Sequence, residues 1–243
     1  MDQELISQFD NLCKRNFFSV NWQNNLRSNG ELAVFFGKTC VHCAVYGPKP
    51  CTMRSQEKNS LSVAVKLRGD PSMPEDKLQF IQETCEKLLL KIICVDEYPF
   101  TGLTIDVTVM NDSGNLLTAI VNSCMLGLLV NGIKLVGTAW ALNFNLSKDD
   151  LELYPECLKK KQYIKDYMPK HNKDAMDLEN GNESVDHDVQ KDESTEVFMT
   201  IELGQGNLLQ LIVLDELSIE DYEFLEGLGK SVKNSITRLI KAT

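Results

Sequence analysis

Residues 103–132 read LTIDVTVMNDSGNLLTAIVNSCMLGLLVNG, and this stretch joins two different hydrophobic patterns. In its first part apolar and polar side chains alternate, which predicts a strand over residues 101–110 with one buried face. Residues 115–131 are nearly all apolar, which predicts a helix that is buried on all sides. Such a helix must be covered by other elements, so the stretch indicates a layered fold of strands and helices.

The flanking sequence supplies the other elements of this fold. Pro74 is expected at the first position of a helix whose apolar residues recur at helical spacing as far as Ile92. Ser218 and Asp221 predict the cap of a last helix. Further strands are predicted over residues 31–37, 38–48, 61–69, 134–144, 196–203 and 207–216, with turns at Gly37-Lys38 and Gly204-Gln205-Gly206. This order predicts a single α+β (mixed α/β) domain in which mixed sheets pack against helices.

Two segments are expected outside the core of this domain. Residues 1–15 are predicted to form an N-terminal arm or a short helix, and the domain is expected over residues 16–243. Residues 169–194 form an acidic insertion with few large apolar side chains. We expect this insertion to be disordered, because it cannot bury enough apolar surface to offset the entropy of ordering.

Composition and charge narrow the classes of protein to which this chain is expected to belong. The chain has 243 residues, 43% of them hydrophobic, and a formal net charge of −10. Nucleic acid repels an acidic chain unless its cations cluster, so a free-standing nucleic-acid binder is not expected. No apolar run approaches the roughly 20 residues of a membrane span, and the N-terminus lacks the apolar core of a signal peptide. The eight cysteines are scattered, which favours reduced thiols in the nucleus or cytosol.

Cys40, His42, Cys43 and Cys51 resemble a metal-binding cluster at first sight. Zinc requires ligands that converge tetrahedrally, whereas side chains at positions 40 and 43 of one strand point to opposite faces. No second C-x-x-C pair is present, so no metal site is predicted here and no cofactor is expected. The two other histidines lie in the acidic insertion, which argues against catalysis by a cysteine–histidine pair.

Lys66 and Arg68 lie near the end of a predicted strand, before a Gly-Asp-Pro turn. Both are candidate RNA contacts, because lysine and arginine side chains bind backbone phosphates. The alternative is a pair of exposed cations with no ligand.

The start of the buried helix is a natural anion site, because the first backbone N–H groups of a helix have no partner within it. A phosphate-handling enzyme would place a cation or a hydroxyl group beside those amides. This chain has Leu116 and Leu117 there.

Several motifs in this order resemble the RNase PH fold, and most closely the ring subunits of the eukaryotic RNA exosome. Residues 26–48, LRSNGELAVFFGKTCVHCAVYGP, match the family pattern R-x-D-G-S, strand, G-x-T turn, strand and G-P, with Asn29 in place of the aspartate. Residues 97–133 resemble the family's central strand, loop and helix. The last hairpin and helix fit as well, so the resemblance covers most of the chain and implies an RNase PH-like fold.

The resemblance also implies where a phosphate would bind. In phosphorolytic members the loop before the central helix reads G-G-T-R-T-A, and its Thr-Arg pair binds the attacking phosphate. With Asn122 aligned, Leu116 and Leu117 occupy these two positions. A second arginine of the family, in Y-P-R-T, corresponds to Phe100. We therefore expect a degenerate phosphate site and no phosphorolysis. The family's catalytic aspartate corresponds to Glu196, so an acid is kept there.

The expected function is that of a non-catalytic structural subunit of the exosome core ring. Such a subunit supports 3'-to-5' processing and degradation of RNA, including rRNA, in the nucleus, nucleolus and cytoplasm. Its implied partners are other RNase PH-type subunits, joined as heterodimers in a six-membered ring, together with cap subunits, a separate catalytic nuclease and RNA in the pore. Two alternatives remain open at this point: a metal-dependent RNase or DNase that uses Glu196, and an adaptor that recruits basic partners through residues 169–194.

Overall fold

The structure, a computed structural model, describes residues 18–23, 30–50, 61–69, 73–146, 151–153, 195–213 and 218–242. The predictions for the arm over residues 1–15 and for the insertion over 169–194 lie outside these residues, as does Cys51. Within the described part of the chain, the elements form two β-sheets and three α-helices.

The first sheet has five strands. They are β1 (Phe18–Gln23), β2 (Glu31–Phe36), β3 (Thr39–Pro50), β4 (Ser62–Arg68) and β5 (Thr101–Asn111), in the spatial order β1-β2-β3-β5-β4. β4 pairs with β5 in parallel and the other neighbours are antiparallel, so the sheet is mixed. The predicted hairpin turn at Gly37-Lys38 is confirmed, and Gly37 has a φ of 56°.

Two helices cover one face of this sheet. α1 (Glu75–Ile92) buries the apolar stripe that includes Ile81, Cys85 and Leu88, as its periodicity predicts. Pro74 is its N-cap residue rather than its first helical residue. α2 (Leu116–Val130) is buried over most of its length and packs against β2 and β3 on one side and against the second sheet on the other. A helix between two sheets has no solvent face, which explains its continuous apolar sequence.

The second sheet has four antiparallel strands, β6 (Ala139–Leu146), β7 (Leu151–Leu153), β8 (Thr195–Glu202) and β9 (Leu208–Val213), in the order β7-β6-β8-β9. α3 (Ile219–Ala242) contacts β8. The ring of Trp140 lies 5.4 Å from that of Phe18 and 6.3 Å from that of Phe36, so the two sheets share one aromatic cluster.

The cap predicted for the last helix is present. Ser218 Oγ accepts a hydrogen bond from the backbone N–H of Asp221 at 3.1 Å, and the backbone N–H of Ser218 donates to Asp221 Oδ2 at 3.3 Å. Each residue thus satisfies a backbone donor of the other, which makes this pair a reciprocal capping box.

Three strand predictions need correction. The strand predicted over residues 134–144 begins at Ala139. Residues 134–138 cross between elements instead, with a single bridge from Leu135 to Ile93 and with Val136 71% exposed. Strands β1 and β7 are not among the predicted strands. The residues of β1, FSVNWQ, alternate strictly and do carry a strand signal, whereas β7 has only three residues.

The mixed α/β architecture is confirmed. None of the helices among the described residues is long and apolar enough to cross a membrane.

Candidate phosphate and nuclease site

The loop that leads into α2 is held in place by two neighbouring elements, α1 and β3. Asp112 Oδ1 accepts the backbone N–H of Gly114 at 3.0 Å, and Asp112 Oδ2 pairs with Lys77 Nζ of α1 at 3.2 Å. Thr39 at the start of β3 accepts the Ser113 backbone N–H at 3.1 Å and donates its hydroxyl to the Gly114 carbonyl. The loop is therefore fixed before any ligand arrives.

Asn115 is the N-cap residue of α2, with a left-handed φ of 58° and no side-chain hydrogen bond to the first turn. Its Oδ1 accepts a hydrogen bond from Asn143 Nδ2 of β6 at 2.9 Å. The same Asn143 amide donates to Glu196 Oε1 of β8 at 2.7 Å. One buried amide thus connects the start of α2 to the carboxylate that the family resemblance selects.

The side chains at this helix end do not favour an anion. Leu116 is only 5% exposed, and Leu117 is partly buried against the core. Among the described residues that bond to the loop or to Asn143, the acids are Asp112 and Glu196, and the cation is Lys77, which Asp112 already holds. Two carboxylates beside the helix N-terminus offset the favourable field that its amides create for an anion.

Phe100 is not part of this site within one chain. It precedes β5, while Leu116 follows the other end of the same strand. An extended strand of this length separates them by about 30 Å, at about 3.3 Å per residue. Phe100 is 51% exposed and has a φ of 58°, which is uncommon for an aromatic residue.

Lys66 and Arg68 lie side by side on β4, the terminal strand of the first sheet. Arg68 Nη2 is 3.6 Å from Asp106 Oδ2 of β5, and the Arg68 side chain is 69% exposed. Both cations lie on the face of the first sheet opposite α1 and α2, so they belong to a different surface from the start of α2.

Cys40 and Cys43 lie on opposite faces of β3, as strand alternation predicts. Burial raises the pKa of the Cys40 thiol, while a hydrogen bond with Cys124 and burial raise the pKa of the Cys43 thiol well above its usual range. His42 lies 3.7 Å from the Glu31 carboxylate. The part of the chain that the structure describes contains no group of three or more His, Cys, Asp or Glu residues arranged to hold a metal ion.

Sequence reasoning misses Asn143 and Asn115, which connect the site. Asn143 is 6% exposed, and its Oδ1 has no hydrogen-bond partner among the described residues. The available signal is a polar residue inside the apolar run AWALNF, since a buried polar side chain needs a partner. The identity of that partner depends on the order of strands, which the pattern does not give.

Comparison with known proteins finds similarity to one family profile and to named relatives. Residues 18–134 match the sequence profile of the 3' exoribonuclease family, domain 1, also called RNase_PH. A rice protein (Oryza sativa subsp. japonica) named exosome complex exonuclease RRP46 homolog is 27% identical over 224 residues, which cover 89% of this chain and 86% of the relative. The fission yeast exosome complex component rrp46 is 27% identical over 118 residues, 48% of this chain and 52% of that protein.

A solved structure gives the same answer for the fold. The crystal structure of rice Rrp46 superposes with a TM-score of 0.72 at 20% sequence identity, and the match covers 92% of each chain. The chain therefore has the mixed α/β RNase PH fold, and its residues 18–134 are similar to domain 1 of the 3' exoribonuclease family.

Proposed function

We propose that this chain is a non-catalytic structural subunit of the RNA exosome core ring, of the type called exosome component 5, built as one RNase PH-like domain over residues 16–243. The observation that carries the proposal is the start of α2, where the apolar side chains of Leu116 and Leu117, buried and partly buried, stand at the two positions at which a phosphorolytic enzyme needs phosphate ligands. The similarity to Rrp46 proteins of two organisms supports the exosome context.

The free energy of phosphate binding at the start of α2 also argues against phosphorolysis. A phosphate at this helix end would lack charge-assisted hydrogen bonds from side chains, each worth about 1.5–3 kcal/mol. It would also lie near the Asp112 carboxylate of the loop. The substitution that corresponds to Phe100 removes a further cation, on a different surface of the chain. Loss of two such contacts lowers phosphate affinity by about a hundredfold or more.

The terminal strands of the two sheets favour assembly of this chain with other chains. Among the described strands, β1 and β4 end the first sheet, and β7 and β9 end the second. Terminal strands present backbone groups that can pair with another chain, and an uncovered edge promotes aggregation. The proposed partners are other RNase PH-type subunits, which form heterodimers and a six-membered ring that also binds cap subunits, a separate nuclease and RNA. The expected locations are the nucleus, the nucleolus and the cytoplasm.

A second candidate function is a metal-dependent nuclease that uses Glu196. The observation in its favour is the position of this carboxylate, 2.7 Å from the Asn143 amide that also binds Asn115 at the start of α2. The name of the rice relative includes the word exonuclease. Against it, metal-assisted hydrolysis needs several ligands around the ion, and the described residues offer no such group.

Assembly is tested by co-expression of the tagged chain with the five other RNase PH-type exosome subunits of the same organism. We expect native mass spectrometry to detect a ring with one copy of this chain, and the chain alone to aggregate or self-associate. Glu196→Gln is the matched control, because the proposal assigns Glu196 no role in assembly, so its ring should form in equal yield. A chain that stays monomeric while the other subunits assemble would contradict the proposal.

A further inference from the structure

The central helix α2 ends in a Schellman motif that is built on an asparagine–glycine pair. Asn131 is the C-cap residue, and Gly132 follows it with a left-handed φ of 64°. The Gly132 backbone N–H donates to the Leu129 carbonyl and the Ile133 N–H donates to the Leu128 carbonyl, each at 3.1 Å. These two hydrogen bonds define the motif, and they satisfy carbonyl groups that the end of a helix leaves without partners.

The Asn131 side chain closes the same helix end. Its Nδ2 donates to the Gly127 carbonyl at 2.6 Å, and the backbone N–H of Asn131 donates to this carbonyl at 3.1 Å. Its Oδ1 is buried and has no hydrogen-bond partner among the described residues. The amide lies against the start of β2, where a β-carbon built on Gly30 would be 3.5 Å from Asn131 Nδ2. The helix end therefore needs a neutral donor at this place.

An asparagine followed by glycine is chemically unstable, because glycine has no side chain to shield its backbone nitrogen. This nitrogen forms a bond to the asparagine Cγ and releases its proton to water, while the Cγ–Nδ2 bond breaks and the side-chain nitrogen leaves as ammonia. Water then opens the cyclic imide at either carbonyl, which leaves aspartate or isoaspartate. The reaction consumes only water.

The closed helix end prevents this reaction between Asn131 and Gly132 in two ways. Both reacting groups are engaged, the glycine nitrogen with Leu129 and the asparagine amide with Gly127. In addition, Asn131 has a ψ of 1°, so the Gly132 nitrogen eclipses the backbone nitrogen of Asn131. Ring closure requires it to eclipse the β-carbon instead, which is about 120° away around the same bond of a tetrahedral carbon. The helix end must therefore open before the imide can form.

Neither product can rebuild the helix end. Aspartate would direct a carboxylate oxygen, in place of the Nδ2 donor, at the Gly127 carbonyl, and two acceptors repel each other. A negative charge at the C-terminus of a helix also opposes its dipole. Isoaspartate adds a methylene group to the backbone, which displaces Gly132 from the position that the Schellman motif requires. Each product thus leaves the end of α2 without its cap.

We propose that Asn131–Gly132 is a site of spontaneous deamidation that the folded chain keeps closed, and that reaction there permanently opens the end of α2. Because α2 packs between the two sheets, this modification weakens the element that both sheets share. The modified residue marks chains whose central helix has opened. The proposal goes beyond the ring role and is independent of it, since it depends on contacts within one chain.

The first part is tested by following deamidation of the full chain at mildly alkaline pH, within the co-expressed ring where that ring forms. Peptide mapping by mass spectrometry measures the reaction of Asn131 in native buffer and in denaturing urea. Opening breaks four hydrogen bonds, each worth about fivefold, so Asn131 should react about a hundredfold or more slowly in native buffer than in urea.

The chain supplies its own chemical reference, since Asn180–Gly181 is a second asparagine–glycine pair. In urea its rate should match that of Asn131. Equal rates of Asn131 in the two buffers would show that the helix end gives no protection and would overturn the proposal. Asn131 that stays intact in urea while Asn180 reacts would overturn it as well.

The second part is tested with a variant that carries the product. Asn131→Asp should raise hydrogen–deuterium exchange of the amides at the end of α2 by about tenfold or more, and at least as much as Asn131→Ala, which adds no charge. Asn207→Asp is the matched control, because it adds the same charge to an exposed loop, and it should exchange like the wild type at α2. Exchange at the wild-type rate in Asn131→Asp would mean that the amide does not hold the helix end, and the proposal would fail.

Discussion

Replacing Gly47 by alanine is expected to lower the free energy of unfolding by about 2–6 kcal/mol, the sum of backbone strain and overpacking. Gly47 has a φ of +118°, which side-chain-bearing residues rarely adopt. A β-carbon there would lie 2.6 Å from the carbonyl oxygen of Gly102 and 3.2 Å from the backbone N of Lys49. These are backbone atoms at the irregularity where β3 pairs with β5, so they cannot move without breaking that pairing.

Alanine substitutions at two other glycines separate the cost of backbone strain from the cost of overpacking. Gly132 has a φ of +64° and open space where a β-carbon would stand, so Gly132→Ala should cost only the backbone term of about 1–2 kcal/mol. Gly227 lies exposed in α3 with open space and no positive φ, so Gly227→Ala should raise stability by about 0.5–1 kcal/mol. Urea unfolding followed by circular dichroism measures all three. A Gly47→Ala midpoint equal to that of Gly132→Ala would show that the predicted contact with Gly102 is absent.

Asn122→Ala is expected to cost about 2–5 kcal/mol of unfolding free energy, because it removes two buried hydrogen bonds and leaves a cavity. Asn122 on α2 is fully buried, donates from Nδ2 to the Ala141 carbonyl at 3.0 Å, and accepts the Ala141 backbone N–H at 2.7 Å. One amide thus fastens the central helix to β6 of the second sheet. Its loss weakens the contact between the helix and that sheet.

The control for Asn122→Ala is a substitution at the neighbouring residue, Ser123. Ser123 is also buried, but its hydroxyl donates to Ile120 O within the same helix at 2.8 Å, so Ser123→Ala should cost about 1 kcal/mol. Asn122→Leu fills a similar volume without hydrogen bonds and should be nearly as damaging as Asn122→Ala. Wild-type stability in Asn122→Leu would mean that packing at this position matters and the paired hydrogen bonds do not.

The elements that the sequence predicts well are those whose hydrophobic pattern arises from one dominant contact. α1 has a single buried stripe, β2 is a short apolar run that ends at the glycine of a hairpin turn, and α2 is apolar all round because both sheets enclose it. Residues 134–138 mislead the pattern because their apolar side chains cross between elements instead of joining a ladder. The prediction misses β1 although FSVNWQ alternates strictly and although the strand completes the first sheet, so its pattern is sufficient for a prediction.

Prediction of the candidate site from the sequence fails for a different reason. Residue pattern alone marks the start of α2, but Glu196 is found only through the family resemblance, and Asn143 is not found at all. Residues 115, 143 and 196 meet only because β6 and β8 are neighbours and β6 packs against α2. Phe100 illustrates the opposite error, since a family motif groups it with Leu116 while β5 separates the two within one chain. Contacts at long sequence separation depend on topology, which periodicity does not encode.

The proposal that the chain has lost the family's chemistry and keeps its fold for assembly is tested most directly by a nuclease assay. The full chain, purified within the co-expressed ring, is incubated with single-stranded RNA in three buffers, containing phosphate, Mg²⁺ or Mn²⁺, beside the ring that carries Glu196→Gln. We expect intact RNA in every buffer for both proteins. Cleavage that depends on metal and disappears in Glu196→Gln would make the chain a hydrolytic nuclease, and phosphate-dependent release of nucleoside diphosphates would contradict the degenerate site at Leu116 and Leu117.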